Sequence, residues 1–167
     1  MTANHSATGG IRQRETKTVV ENRQARHLYF VEDTLEAGLK LEGWEVKAIL
    51  SGRATFNSGA AFIRLRDGEA FLESLTITPA AQDQKGMLEE LLPQRPRKLL
   101  LNKAELRKLE RRVAEKGYTV VPLEVTYGRV LKLNIGLARG KKLADKRDTV
   151  KARDQSRELA RDLKALA

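Results

Sequence analysis

Leu123-Glu124-Val125-Thr126-Tyr127-Gly128-Arg129-Val130-Leu131-Lys132-Leu133-Asn134-Ile135-Gly136-Leu137 is the most regularly patterned stretch of the chain. Successive side chains of a strand point to opposite faces, so a period of two in hydrophobicity marks a half-buried strand. On that reading Leu123, Val125 and Tyr127 share one face. After a tight turn at Gly128, Leu131, Leu133, Ile135 and Leu137 share another, with Lys132, Asn134 and Gly136 pointing away from the core. Two long antiparallel strands are therefore expected at the centre of the fold.

Working outward, a second hairpin is expected where Ile63 and Leu65 alternate with Arg64 and Arg66. Asp67-Gly68 supplies its turn, and Phe71 to Ile77 returns as one partner strand. Earlier in the chain, Thr18-Val19-Val20 reads as a short strand. Asn22 follows as the N-cap of one polar helical turn, and Leu28 to Val31 starts a strand that Leu35, Leu39 and Leu41 continue past a break at Gly38. Trp44 to Leu50 has helical composition and ends at Gly52. The clearest helix starts at Asn102, with Glu105 in the capping-box position. It carries a Leu106, Leu109, Val113 stripe, stops at Gly117, and shows Arg107, Lys108, Arg111, Arg112 and Lys116 on its outer face. Short strands, Gly turns and interspersed helices give a mainly β fold with α: a small antiparallel closed β-barrel with flanking helices and a flexible basic C-terminal tail. The expected divisions are a flexible arm at 1–15, a β-barrel domain at 16–138, and a tail at 139–167.

Residues 79 to 96, with Pro79, Gly86, Pro93 and Pro96, show no periodicity and read as a long loop. The tail from Arg139 is rich in helix formers but offers only Val150, Leu159, Leu163 and Leu166 for apolar contact. It is expected to stay unstructured until bound. As a helix, residues 145 to 166 would reach roughly 33 Å.

The 167 residues contain 32 Lys+Arg, 22 Asp+Glu, two histidines and no cysteine. Disulfides, thiolate metal sites and cysteine nucleophiles are thereby excluded, and His5 and His27 do not suggest a metal cluster. No apolar run suits a membrane span and no signal-peptide pattern opens the chain, so a cytoplasmic location is expected. The formal charge of +10 points to a polyanion, nucleic acid first. That charge is segregated: net −5 over residues 31–92, net +7 over 93–138 and net +5 over 139–167. The acidic middle reads as scaffold and the basic segments as binding surface.

No phosphate-binding glycine loop or nucleophile elbow is present. Glu32-Asp33, adjacent in a strand, should face opposite ways, and Glu89-Glu90 falls in the irregular loop, so neither suits an acid/base pair. RNA-binding chemistry remains. Lys and Arg attract phosphate irrespective of sequence, while Asn22, His27 and Tyr29 have the groups to read or stack on unpaired bases. For His27 and Tyr29 a half-buried strand pair is the alternative.

Five blocks then become specific. They are Glu21-Asn22-Arg23-Gln24-Ala25-Arg26-His27, Leu35-Glu36-Ala37-Gly38-Leu39, Gly43-Trp44-Glu45-Val46-Lys47, Arg95-Pro96-Arg97-Lys98-Leu99-Leu100-Leu101, and Ala138-Arg139-Gly140-Lys141-Lys142 with Asp145-Lys146-Arg147. In this order they resemble the bacterial SsrA-binding protein family, also called small protein B, over nearly all of residues 17 to 155. The resemblance implies an oligonucleotide-binding-like barrel and a non-enzymatic factor of trans-translation, with no cofactor or metal. It implies binding to the tRNA-like domain of transfer-messenger RNA (tmRNA) and delivery of that RNA to stalled ribosomes. Elongation factor Tu and alanyl-tRNA synthetase would be partners indirectly, through the RNA. Asn22, Glu36, Leu100 and Lys132 fall on the family's RNA-binding positions, with Arg23, His27, Lys98 and Arg139 in the same blocks. For Leu100, core packing is the alternative.

Gly140, Lys141, Lys142, Ala144, Asp145, Lys146 and Arg147 match the tail motif. In the family that tail becomes helical in the messenger channel and reaches the decoding centre of the small ribosomal subunit. Ala144 departs from the aromatic or histidine common there, and the Gly128 turn and Ser58-Gly59-Ala60-Ala61 also differ from the usual pattern. A structural ribosomal or general RNA-chaperone protein is the alternative function. A metal-dependent nuclease using Asp67, Glu69 and Glu73 is the enzymatic one.

Overall fold

The stretch from Tyr118 to Gly140 folds as two ten-residue antiparallel strands, β8 (Tyr118–Tyr127) and β9 (Leu131–Gly140). A computed structural model describes residues 16–57, 61–81 and 92–165 of the chain. The N-terminal arm, most of the 79–96 loop, Glu89-Glu90 and Ser58 to Ala60 lie outside the described residues. Around the central hairpin, β1 (Lys17–Glu21) pairs with β8 and the long β2 (Tyr29–Leu39) pairs with β9. Beyond β2 come β7 (Arg97–Leu100), β5 (Glu69–Glu73) and β4 (Phe62–Arg66), completing a seven-stranded sheet in the order β1-β8-β9-β2-β7-β5-β4. Every pairing is antiparallel. The fold is thus a mixed α/β one, an antiparallel sheet with flanking helices.

The sheet curls far enough for β4 to contact β8, but it does not close into the expected barrel, because its end strands β1 and β4 do not pair. The segment expected as one strand from Phe71 to Ile77 is also divided. Ser74 has φ 62°, so the chain breaks there, and β6 (Leu75–Ile77) leaves the main sheet to form a separate ribbon with β3 (Ala54–Phe56). The strand that would have prolonged the main sheet is diverted.

Local signals account for most elements. Asp67 (φ 53°) and Gly68 (φ 71°) both take the left-handed conformation that a two-residue hairpin turn requires. Helix α2 (Gly43–Leu50) is closed by a reciprocal capping box between Glu42 and Glu45. Helix α3 (Lys103–Ala114) has the same device from Asn102 and Glu105, with Leu109 buried in the core. It ends three residues before Gly117. The short α1 (Ala25–Leu28) is capped by Gln24 rather than Asn22, although the Asn22 side chain still accepts from the Ala25 N–H at 3.3 Å. The core is formed by one sheet face, with Leu72, Leu99, Leu133 and Ile135 beneath Ile49 and Leu109. Full burial of each such side chain contributes roughly 1.5–3 kcal/mol.

Register shifts correct the simple alternation. A bulge between Pro122 and Glu124 puts Val125 in the main core but Leu123 with Val121, Ala25 and Ala138 in a second cluster under α1. Leu123 and Val125 therefore do not share a face, and Tyr127 is exposed. Gly136, expected to point outward, is buried, because the opposite face is covered there too; a Cβ on it would lie 2.9 Å from Val31 Cγ1. Gly38 does not break β2, which runs through it.

β9 continues to Gly140, so Arg139 and Gly140 belong to the sheet, opposite Phe30 and Tyr29. Beyond them Leu143–Ala165 forms a single helix, α4. Every described side chain from Val150 to Arg161 is exposed. Intrinsic propensity of its Ala, Leu, Lys, Arg and Glu residues, and not packing, sustains it along that length. No helix among the described residues is long and apolar enough to cross a membrane.

Candidate nucleic-acid interface

Alternation along β2, β7 and β9 turns Glu36, Lys98, Leu100 and Lys132 away from the core and onto the outer face of the sheet. Gly38 stands opposite both Leu100 and Lys132, and its missing side chain leaves room for Leu100, whose Cβ would be 3.1 Å from a Cβ on Gly38. Leu100 is 56% exposed, which removes the core-packing reading. Glu36 and Lys132 form an ion pair beside it, and Lys98 pairs with Glu69. Next to the first pair lies a groove of about 380 Å³, lined by Thr16, Glu36, Thr126, Arg129, Val130 and Lys132. A cation, a carboxylate acceptor and an exposed aliphatic surface side by side suit phosphate, 2′-hydroxyl and base contacts respectively.

The remaining expected residues lie elsewhere. From Phe30 to Gly38 the β2 strand spans about 26 Å at roughly 3.3 Å per residue, and Arg139, Gly140 and Lys141 sit at the Phe30 end. Asn22 is buried and fully used. Its amide donates to the Pro122 carbonyl at 2.8 Å and its backbone N–H to Leu123 at 2.8 Å, fastening α1 to β8. Arg23 is exposed beside Glu21, whereas His27 and Tyr29 are half-buried. Lys141 donates from its backbone to Leu28 at 2.9 Å and from its side chain to the Arg26 carbonyl at 3.0 Å, with its ammonium 4.8 Å above the Phe30 ring. Lys142 is exposed. Ala144, Asp145, Lys146 and Arg147 fall in α4, and their side chains lie outside the described residues.

Glu32 joins this end together, a part that the sequence, which offered it only as a rejected acid/base partner of Asp33, did not suggest. It accepts from the Tyr118 hydroxyl at 3.0 Å, from Arg112 at 3.1 Å and from Arg139 at 3.2 Å. Both guanidiniums also lie over the Tyr118 ring, at 4.5 and 5.4 Å. Glu32 and Asp33 do not face opposite ways. A bulge between Val31 and Asp33 lets both reach α3, Glu32 to Arg112 and Asp33 to Lys108 at 2.5 Å. The Lys108 hydrogen bond, opposed by some burial, holds the Asp33 carboxyl below its ordinary value.

The acidic scaffold and the basic segment are likewise not separate surfaces. Glu45, fully buried, takes Arg95 at 2.6 Å and Arg97 at 3.0 Å, and Arg97 also donates to the carbonyls of Leu75 and Pro93. Burial pushes the Arg97 guanidinium down and Glu45 opposes that shift. Arg97 is therefore a structural cation, unavailable to a phosphate, and Arg95, a quarter exposed, is bound to the same carboxylate. Asp67, Glu69 and Glu73 do not converge as a nuclease would need. Asp67 lies in the turn, Glu69 meets Lys98, and Glu73 meets Arg64 at 2.5 Å. Glu69 and Glu73 stand about 13 Å apart along β5.

Comparison with known proteins identifies the family of the chain. The SmpB protein family matches residues 19–165. The chain belongs to that family. SmpB proteins are non-catalytic RNA-binding factors of tmRNA-mediated trans-translation, the rescue of stalled ribosomes, and this chain is one of them. It is 45% identical to the SsrA-binding protein of Pseudomonas entomophila (strain L48) over 150 residues, 89% of this chain and 91% of that one. It is 44% identical over 147 residues to the SsrA-binding protein of Chlorobaculum tepidum, covering 87% and 90%. A chain of the solved structure "tmRNA-SmpB: a journey to the center of the bacterial ribosome" superposes with a TM-score of 0.60 at 44% identity, over 76% of this chain and 87% of that chain. As an SmpB protein the chain binds tmRNA and interacts with the ribosome.

Proposed function

We propose that the outer sheet face of this SmpB protein holds the tRNA-like domain of tmRNA, with Glu36, Lys98, Leu100 and Lys132 as the contacting side chains. The observation that carries this reading is Leu100. This aliphatic side chain, 56% exposed, stands on the same outer face as the Glu36–Lys132 ion pair, so that apolar and charged groups are offered together to one ligand. Lys132 supplies charge to a phosphate, and Glu36 accepts from a 2′-hydroxyl or base amine. Arg23, His27 and Arg139 extend the surface toward α1, and Asn22 acts through the loop it fastens.

Gly140, Lys141, Lys142 and the α4 positions Ala144, Asp145, Lys146 and Arg147 serve the ribosome. The helix lies in the messenger channel and its base in the decoding centre of the small subunit. Alanyl-tRNA synthetase and elongation factor Tu meet the protein only through the RNA, and the setting is the cytoplasm. Replacing Leu100 with Ala and measuring affinity for the isolated tRNA-like domain tests the reading: a loss of about tenfold, in the range of a lost base or sugar contact, supports it. Unchanged affinity rejects it. Equal affinity for unrelated structured RNA would favour a general RNA chaperone.

A further inference from the structure

Three cations on α3 stand apart from the pairing that absorbs so much of the chain's charge. Lys103, Arg107 and Arg111 are all exposed, and among the described residues no ion pair reaches them. Their four-residue spacing puts them in one row on the outer face of the helix, about 6 Å apart and about 12 Å end to end. That step is of the order of the separation between neighbouring phosphates on one nucleic-acid strand. Ala104 and Ala114, also exposed, are short and leave the face open to close approach. Of the acidic residues in and next to the helix, Glu105 is held in the capping box and Glu115, just past the last turn, lies on Arg112 at 3.2 Å. Glu110, three residues after Arg107 and next to Arg111, makes no ion pair among the described residues, and three cations against that one carboxylate keep the row net positive.

Its place in the fold selects the partner. Leu109 roots α3 in the core, on the opposite side of the sheet from Glu36, Leu100 and Lys132. At the near end, Arg112 of α3 and Arg139 of β9 share Glu32, and α4 begins four residues after Arg139. The row is thus contiguous with the root of the tail and turned away from the face assigned to tmRNA. We propose that Lys103, Arg107 and Arg111 form a second, sequence-independent RNA surface, which takes a phosphate strand of ribosomal RNA while the sheet face holds tmRNA. This inference rests on the functional reading above, in that it takes the sheet face as occupied.

The test uses the full chain with Lys103→Gln, Arg107→Gln and Arg111→Gln combined, beside the charge-conserving Lys103→Arg, Arg107→Lys and Arg111→Lys. Affinity is measured for the tRNA-like domain of tmRNA and, separately, for small ribosomal subunits free of tmRNA, from about 50 to 200 mM salt. The Gln triple should bind the tRNA-like domain within about twofold of the parent. It should lose about tenfold or more on the subunit, with a log-log salt slope shallower by about two, as expected for three lost phosphate contacts. The charge-conserving triple should bind both as the parent does. Unchanged subunit affinity of the Gln triple overturns the proposal. So does an equal loss on both RNAs, which would mean diffuse attraction, or an equal loss in the charge-conserving triple. Should the parent fail to prefer the tRNA-like domain over unrelated RNA, the functional reading falls, and the subunit arm still reports on α3.

Discussion

Arg97 and Glu45 meet at 3.0 Å with both side chains wholly enclosed by protein. Such a pair gains little over an apolar one of the same shape, but removing one partner strands the other charge in the interior. Glu45→Ala should lower unfolding free energy by about 3–5 kcal/mol, measured by urea denaturation. A loss below about 1 kcal/mol would mean that Arg97 finds another partner.

The outer face should behave in the opposite way. Leu100→Ala and Lys132→Gln touch exposed groups, so each should shift stability by no more than about 1 kcal/mol. Both should nevertheless weaken binding of the tRNA-like domain. Thermal unfolding and RNA titration on the same preparations separate the two effects, and a stability loss of several kcal/mol would return Leu100 to a structural role.

This division shows what the sequence carried and what it did not. Asp67-Gly68, the Asn102/Glu105 box and the alternation of Leu131 to Ile135 are local, and the elements they mark are present. The bulges before Asp33 and Glu124, the departure of β6 at Ser74 and the burial of Arg97 depend on partners tens of residues away. Charge counting by segment failed for the same reason, since Glu45 and Arg97 belong to segments of opposite sign yet share one interior site. At the site, Glu36, Leu100 and Lys132 do come together, on the strength of the family resemblance. The sequence offers Glu32 only with Asp33 as an acid/base pair, and its part as a junction was not legible because its three partners lie 80 or more residues later in the chain.

Asp33 gives a dependence on pH. Its folded pKa is lowered by Lys108, so the stabilisation is present above its ordinary value near 3.8 and is lost as pH falls through the lower folded value. The unfolding free energy of the parent should therefore fall more steeply on acidification below about pH 4 than that of Asp33→Asn. Parallel profiles would show that Lys108 does not discriminate between the two charge states. Both side chains are about half exposed, so salt should shrink the difference.

Lys141 is held at the end of α1 by the Arg26 carbonyl and the Phe30 ring. Phe30→Leu, which keeps the apolar contact but not the ring face, should loosen that hold and broaden the distance distribution between spin labels on α3 and α4. Affinity for the tRNA-like domain should stay within about twofold, given about 0.5–1 kcal/mol for an exposed cation–π contact. An unchanged distribution would mean that the backbone bond to Leu28 suffices.

Gly136 sits where β9 passes closest to Val31 and Leu123. Gly136→Ala should cost about 1–3 kcal/mol, as overpacking does when the neighbour is a stiff β-branched side chain. A neutral result, read by thermal unfolding, would show that Val31 can change rotamer.

The pairing of Arg95, Arg97, Lys98, Lys108, Arg112, Lys132 and Arg139 with acidic neighbours leaves the formal charge of +10 untouched but redistributes its reach. Close pairs look like dipoles from a distance, and their fields die away quickly. What a distant polyanion senses is the uncompensated remainder, to which the exposed row on α3 contributes. That remainder exerts a torque as well as a pull, so the protein is turned during its approach, before any contact is made. Added salt should then slow association far more than it hastens release.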